Sequence, residues 1–179
     1  MMFLAAAIGC DPTEMVTYEA GNDEAFFEET SQSLTVTQAD ANTYTITVSR
    51  GNPAGAVSVP VSIQSETEGV FDGPASVEFA DGELYAEYTV SFDIAGLAVG
   101  AMSEVTLTLG SETDLPYSTS FVLSVMRDYT WNNYATGVYT SEFYGQLAGQ
   151  VAQFPVVMQQ AAEKTDLYRL ADVFNTGYH

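Results

Sequence analysis

The feature that most restricts what this chain can fold into is a period-two alternation that begins at Leu34 and recurs as far as Val125. Leu84, Ala86, Tyr88, Val90 and Phe92 alternate with Tyr85, Glu87, Thr89, Ser91 and Asp93. The same pattern runs through Leu34–Val36, Tyr44–Val48, Val57–Ile63, Val77–Phe79, Val105–Leu109 and Phe121–Val125. Successive side chains of an extended strand point to opposite faces, so each run buries one face and wets the other. Between the runs lie turn-forming clusters: Ala39-Asp40-Ala41-Asn42, Arg50-Gly51-Asn52-Pro53, Asp72-Gly73-Pro74 and Gly110-Ser111-Glu112-Thr113-Asp114. Asp81-Gly82, between two alternating runs, is a hairpin signal. Pro60 interrupts a run and predicts an edge position or a bulge there, because proline has no amide to give to a ladder. The expectation is an all-β fold: an immunoglobulin-like antiparallel β-sandwich over residues 26–127, followed by a partial second β-domain over 128–179.

Beyond Met126 the character changes. Tyr129, Trp131, Tyr134, Tyr139, Phe143 and Tyr144 make the segment aromatic-rich. Residues 137–144 alternate weakly, residues 154–158 suit a strand, and residues 166–174 alternate although good helix formers precede them, so strands are expected throughout. If the second domain is partial, its strands lack partners and leave an exposed edge. Its aromatics have two readings. They plug the junction with the sandwich and build a second core, or Tyr129, Trp131 and Tyr134 form a ligand-binding surface, since exposed aromatic faces stack on sugars and anchor protein interfaces.

The only cysteine, Cys10, closes the stretch Leu4-Ala5-Ala6-Ala7-Ile8-Gly9-Cys10. An apolar run ending in small residues fits the end of a secretory signal peptide over residues 1–9. The step into Cys10 resembles a bacterial lipobox, in which the cysteine is acylated and becomes the first residue of the mature protein. An acidic tether over residues 10–25 follows. The alternative for Cys10 is an unmodified thiol; no His or cationic neighbour is present to activate it as a nucleophile.

Four Lys and Arg stand against 24 Asp and Glu, a net charge of −20. Such a chain repels nucleic-acid backbones and anionic membrane surfaces, so any membrane attachment falls to a lipid anchor alone. Partners compatible with this charge are cations, neutral polymers such as glycans, and basic proteins. The lone His179 leaves no Ser-His-Asp set and no zinc cluster, and no phosphate-binding glycine loop occurs. The expectation is a protein that is not an enzyme and needs no resident cofactor, with Ca²⁺ the one ion worth testing.

The order of features from Tyr44 to Leu109 resembles the Calx-beta domain. The segments that carry the resemblance are "YTITVSRGNPAGAVSVPVSI", "VEFADGELYAEYTVSF" and "EVTLTLG". The resemblance implies a sandwich, with Ca²⁺ held in some members by acidic loops at one end. Asp93 and Glu104 fall at the equivalent place, but residues 94–103 between them bring no carboxylate. Glu66, Glu68 and Asp72 form another acidic group. Calcium takes about six to eight oxygens, so these five residues together are the candidate metal ligands, and a solvated loop is the alternative. With the lipobox and the downstream "GVYTSEFYG", the chain resembles surface lipoproteins of Bacteroidota. That implies a lipid-anchored protein at the outer membrane or cell surface with a binding or adhesion role toward a glycan or protein. The alternatives are a spacer module of a larger surface assembly and the non-catalytic part of an enzyme.

Overall fold

The computed structural model describes residues 21, 23–111, 118–149 and 151–173; within the helix, the side chains of Tyr144 and Ala148 are outside the description. Cys10, the signal segment and His179 also fall outside it. Twelve strands and one short helix account for the described chain: β1 Ala25–Phe27, β2 Ser31–Val36, β3 Thr43–Arg50, β4 Val57–Ser65, β5 Phe71–Asp72, β6 Ser76–Phe79, β7 Tyr85–Phe92, β8 Met102–Leu109, β9 Ser120–Arg127, β10 Trp131–Ser141, α1 Glu142–Ala148, β11 Ala152–Ala161 and β12 Tyr168–Ala171. The fold is all-β, as the alternation requires.

The first nine strands form two sheets, one ordered β1-β3-β7-β5 and the other β2-β9-β8-β4-β6. Their inward residues meet in one core that includes Phe27, Val48, Tyr88 and Val90 from the first sheet and Val59, Val105, Leu107, Phe121 and Leu123 from the second. Phe121 packs between the sheets, its ring 5.5 Å from that of Phe27 and 6.5 Å from that of Tyr44. Burying a side chain of this size contributes about 1.5–3 kcal/mol, so this face is the main source of stability. Tyr88 carries its hydroxyl into the core and donates to Pro74 O at 2.7 Å, which satisfies the one polar atom on that side chain.

Several expectations change in detail. The second sheet is mixed, because β2 pairs with β9 in parallel from Ser31↔Val122 to Val36↔Arg127. Only residues 28–30 separate β1 from β2, and in that space the chain crosses to the other sheet. Ala25, expected to close the tether, is instead fully buried as the first residue of β1. Asp81-Gly82 does make a turn, with Gly82 at φ 87° and Glu83 N donating to Ala80 O, but no hairpin. β6 pairs with β4 in one sheet and β7 with β3 in the other, so the turn arches between layers. Pro60 sits where β4 changes partners, pairing with β6 through Pro60 and with β8 from Val61. Each half of that strand is open on one side, which is where a missing amide is tolerated.

Arg50 fastens this arch. It is 3% exposed, and its Nε donates to Glu83 O at 2.7 Å, Nη1 to Gly55 O at 3.0 Å, and Nη2 to Pro53 O and Ala80 O at 2.9 and 2.8 Å. Its guanidinium lies 5.1 Å from the Phe79 ring centroid. Four carbonyls from two loops therefore converge on one cation.

The remaining strands form a separate antiparallel sheet, β10-β11-β12, with α1 in the β10–β11 connection. Residues 142–144, expected to continue a strand, are instead the first turn of α1. The sheet is two-faced. Tyr139 pairs with Phe154 and Met158 with Leu170, which puts these apolar residues on one face; Asn133, Gln159 and Arg169 lie on the other. Tyr134, Val138, Phe143 and Tyr168 are 58%, 62%, 68% and 42% exposed. The aromatics of this segment thus do not make a second core among the described residues.

Candidate functional site

The site is built where the sandwich hands the chain to the three-stranded sheet. The last residues of β9 are clamped by backbone bonds: Gly100 N donates to Arg127 O, and Asp128 N to Val36 O, both at 2.8 Å. Gly100 has φ 69°, and a Cβ there would run into the Tyr129 ring. A left-handed backbone and close aromatic contact at the same residue make glycine the only comfortable choice. Tyr129 is set further by its amide, which donates to Asp128 Oδ1 at 2.7 Å.

Thr130 then ties the linker to the far sheet. Its amide and hydroxyl donate to the two oxygens of Glu163 at 2.9 and 2.7 Å. These bonds, with a contribution from the Arg127 charge, hold the Glu163 carboxyl below the ordinary glutamate range. Trp131, the first residue of β10, meets Tyr129 edge-on with ring centroids 5.8 Å apart. The guanidinium of Arg169 lies over the indole, 4.4 Å from its centroid. Arg169 Nε donates to Gln159 Oε1 at 2.8 Å, and Gln159 Nε2 donates to Asn133 Oδ1 at 3.0 Å. The three strands β10, β11 and β12 thus contribute one residue each to a polar relay that aims the arginine.

These residues line an open groove of about 580 Å³ between Thr37–Ala39 of the sandwich and Trp131 and Arg169 of the sheet, with Arg127 and Asp128 at its floor. Trp131 Nε1 is buried with no hydrogen-bond partner. An unsatisfied buried donor costs about 1–3 kcal/mol, so it marks a place where fold stability alone does not explain the packing.

Of the residues expected to bind ligand, Tyr129 and Trp131 come together here and Tyr134 does not. Tyr134 is bulged out between Asn133 and Ala135, and its ring packs against Tyr168 at 5.2 Å. Tyr168 and Arg169 are consecutive in β12 and so face opposite ways. Tyr134 and Trp131 therefore serve opposite faces of the sheet. Arg127, Arg169 and Gln159 were not singled out in the sequence; the available signal was that only four Lys and Arg exist in the chain.

The candidate calcium ligands are spread out. Glu66 and Glu104 line one open cavity beside Ser65 and Ser103. Glu104 already accepts from Ser124 at 3.0 Å. Asp72 lies in β5 opposite Ser91, Asp93 follows β7 and accepts from Ala95 N, and Glu68 is exposed just before Gly69. Among the described residues, no three His, Cys, Asp or Glu side chains gather as a metal-holding group.

No family model matches this chain, and no curated protein is similar to it in sequence. Solved structures do align with it. One is described as a "putative carbohydrate binding protein" from Bacteroides ovatus, at TM-score 0.46 and 13% identity, with 66% of this chain and 42% of that chain covered. Another, of unknown function and also from Bacteroides ovatus, aligns at TM-score 0.40 and 13% identity, with 89% of this chain and 61% of that chain covered. The chain therefore spans less than two thirds of the length of either.

Proposed function

We propose that this protein is a non-catalytic, lipid-anchored cell-surface protein that binds a saccharide in the groove between the sandwich and the three-stranded sheet. The observation that carries this reading is the wall formed by Tyr129, Trp131 and Arg169 beside Arg127. Saccharides present apolar C–H faces and a rim of hydroxyls. Aromatic rings take the faces, and guanidinium groups with backbone and threonine oxygens take the rim.

Electrophoresis through gels containing single polysaccharides tests this directly. Wild-type protein should be retarded by at least one polymer, and Trp131→Ala and Tyr129→Ala should each lose most of that retardation. If both variants migrate like the wild type in every gel, the groove is not the binding site.

The anchor at Cys10 belongs to the same reading. A Cys10→Ser variant should appear in the soluble fraction of cells; a variant that stays with the membrane would remove Cys10 from the account. A spacer role is the second reading. It is favoured by the exposed apolar face that carries Tyr134, Tyr168 and Leu170, which suits packing against a neighbouring module.

A further inference from the structure

We infer that the saccharide bound in this groove is anionic, and that Arg169 receives its carboxylate or sulfate. This rests on the groove being the saccharide site. Acidic residues outnumber basic ones by 24 to 4, so an arginine left to chance would find a carboxylate. Arg169 does not. Its Nε is held by a neutral amide, Gln159, which is itself held by Asn133, and its Cζ sits over the Trp131 ring. Among the described residues neither Arg169 nor Arg127 forms an ion pair. A guanidinium held through Nε and placed over an indole keeps its two terminal nitrogens as a fork, the geometry that grips a carboxylate or sulfate with two parallel bonds. Its rotamer is set in advance, so little is lost on binding.

Two of the four cations of the chain, Arg127 and Arg169, also line this groove. Residues 1–126 carry 19 acids and one arginine, whereas residues 127–179 carry five acids and three cations. Of those five acids Asp128 lines the groove and Glu163 is bonded to Thr130 of its lining: Asp128 Oδ1 accepts the Tyr129 amide, and both Glu163 oxygens accept from Thr130. At physiological ionic strength charges beyond about 8 Å are screened, so a ligand in the groove responds mainly to Arg127, Arg169 and the two carboxylates beside them, and it is the free fork of Arg169, not a net positive field, that favours an anion.

The test is isothermal titration in about 150 mM NaCl with polygalacturonate oligomers, dextran sulfate and a neutral galactan, on wild type, Arg169→Lys and Gln159→Glu. The lysine keeps the charge and removes the fork. The glutamate places a carboxylate against Arg169 Nε and occupies the cation without removing it. Wild type should bind one of the two anionic polymers roughly tenfold or more tightly than the neutral one, a difference that one charge-assisted pair supplies. Which polymer wins distinguishes carboxylate from sulfate. Both variants should lose that preference, while the melting midpoint of Gln159→Glu stays level or rises. That combination separates a blocked site from a damaged fold. Equal or tighter binding of the galactan would overturn the anionic assignment and leave saccharide binding standing. Anionic binding unchanged in Arg169→Lys would also overturn it. Binding of none of the three overturns the assignment; with no retardation in any polysaccharide gel, the saccharide reading falls too.

Discussion

Replacing Arg50 by alanine is expected to destabilise the protein by about 3–5 kcal/mol, enough to lower the melting midpoint by on the order of 10 °C. The guanidinium is buried and is the shared donor for the carbonyls of Pro53, Gly55, Ala80 and Glu83. Without it all four carbonyls lose a donor, Pro53 O and Ala80 O keeping the amides of Gly82 and Glu83, and the cavity above Phe79 cannot be filled by the loops without moving them. Arg50→Lys should recover only part of the loss, since an ammonium is a point donor and cannot span four carbonyls on two loops. Thermal unfolding of the three proteins checks this. A lysine variant as stable as the wild type would show that charge, and not the fork, holds the arch between the sheets.

The second large effect is expected at Phe121. Phe121→Ala should cost about 3–5 kcal/mol, because it opens a cavity where both sheets meet. Phe121 is 1% exposed and touches Phe27 and Tyr44 across the layers. Leu147, on α1, is 72% exposed, and Leu147→Ala should change stability by no more than about 0.5 kcal/mol. Urea titrations of the pair measure the contrast. Similar losses at both positions would mean that Leu147 on α1 is covered in solution.

The alternation revealed which face of each strand is buried, because that depends only on local parity. Tyr88, Val90 and Phe92 are inside as their spacing demands. It could not reveal partners. The arch at Asp81-Gly82 and a hairpin there have the same local signature, and only the loops gathered by Arg50 decide between them. In strand β2, "SQSLTV", the alternation is legible only from Leu34, because its first three residues are all polar, and the strand forms by pairing with β9 about 90 residues away. At the site, Tyr129 and Trp131 were legible from their chemistry alone. Arg169 was not, because its meaning depends on the register Gln159↔Arg169, which brings an amide and an indole to it from two other strands. Tyr134 does not join Tyr129 and Trp131 because it is three residues from Trp131, an odd spacing that along a strand puts the two side chains on opposite faces, and its ring packs on Tyr168.

Trp131 is the only tryptophan of the chain, so its intrinsic fluorescence reports on the groove and on nothing else. Titration of the wild type with the polysaccharide that retards it most should give a saturable change in emission, and the change should be abolished or much reduced in Tyr129→Ala. A polysaccharide that binds the protein while the emission of Trp131 stays constant would contradict the central claim that this groove is where the protein recognises its ligand.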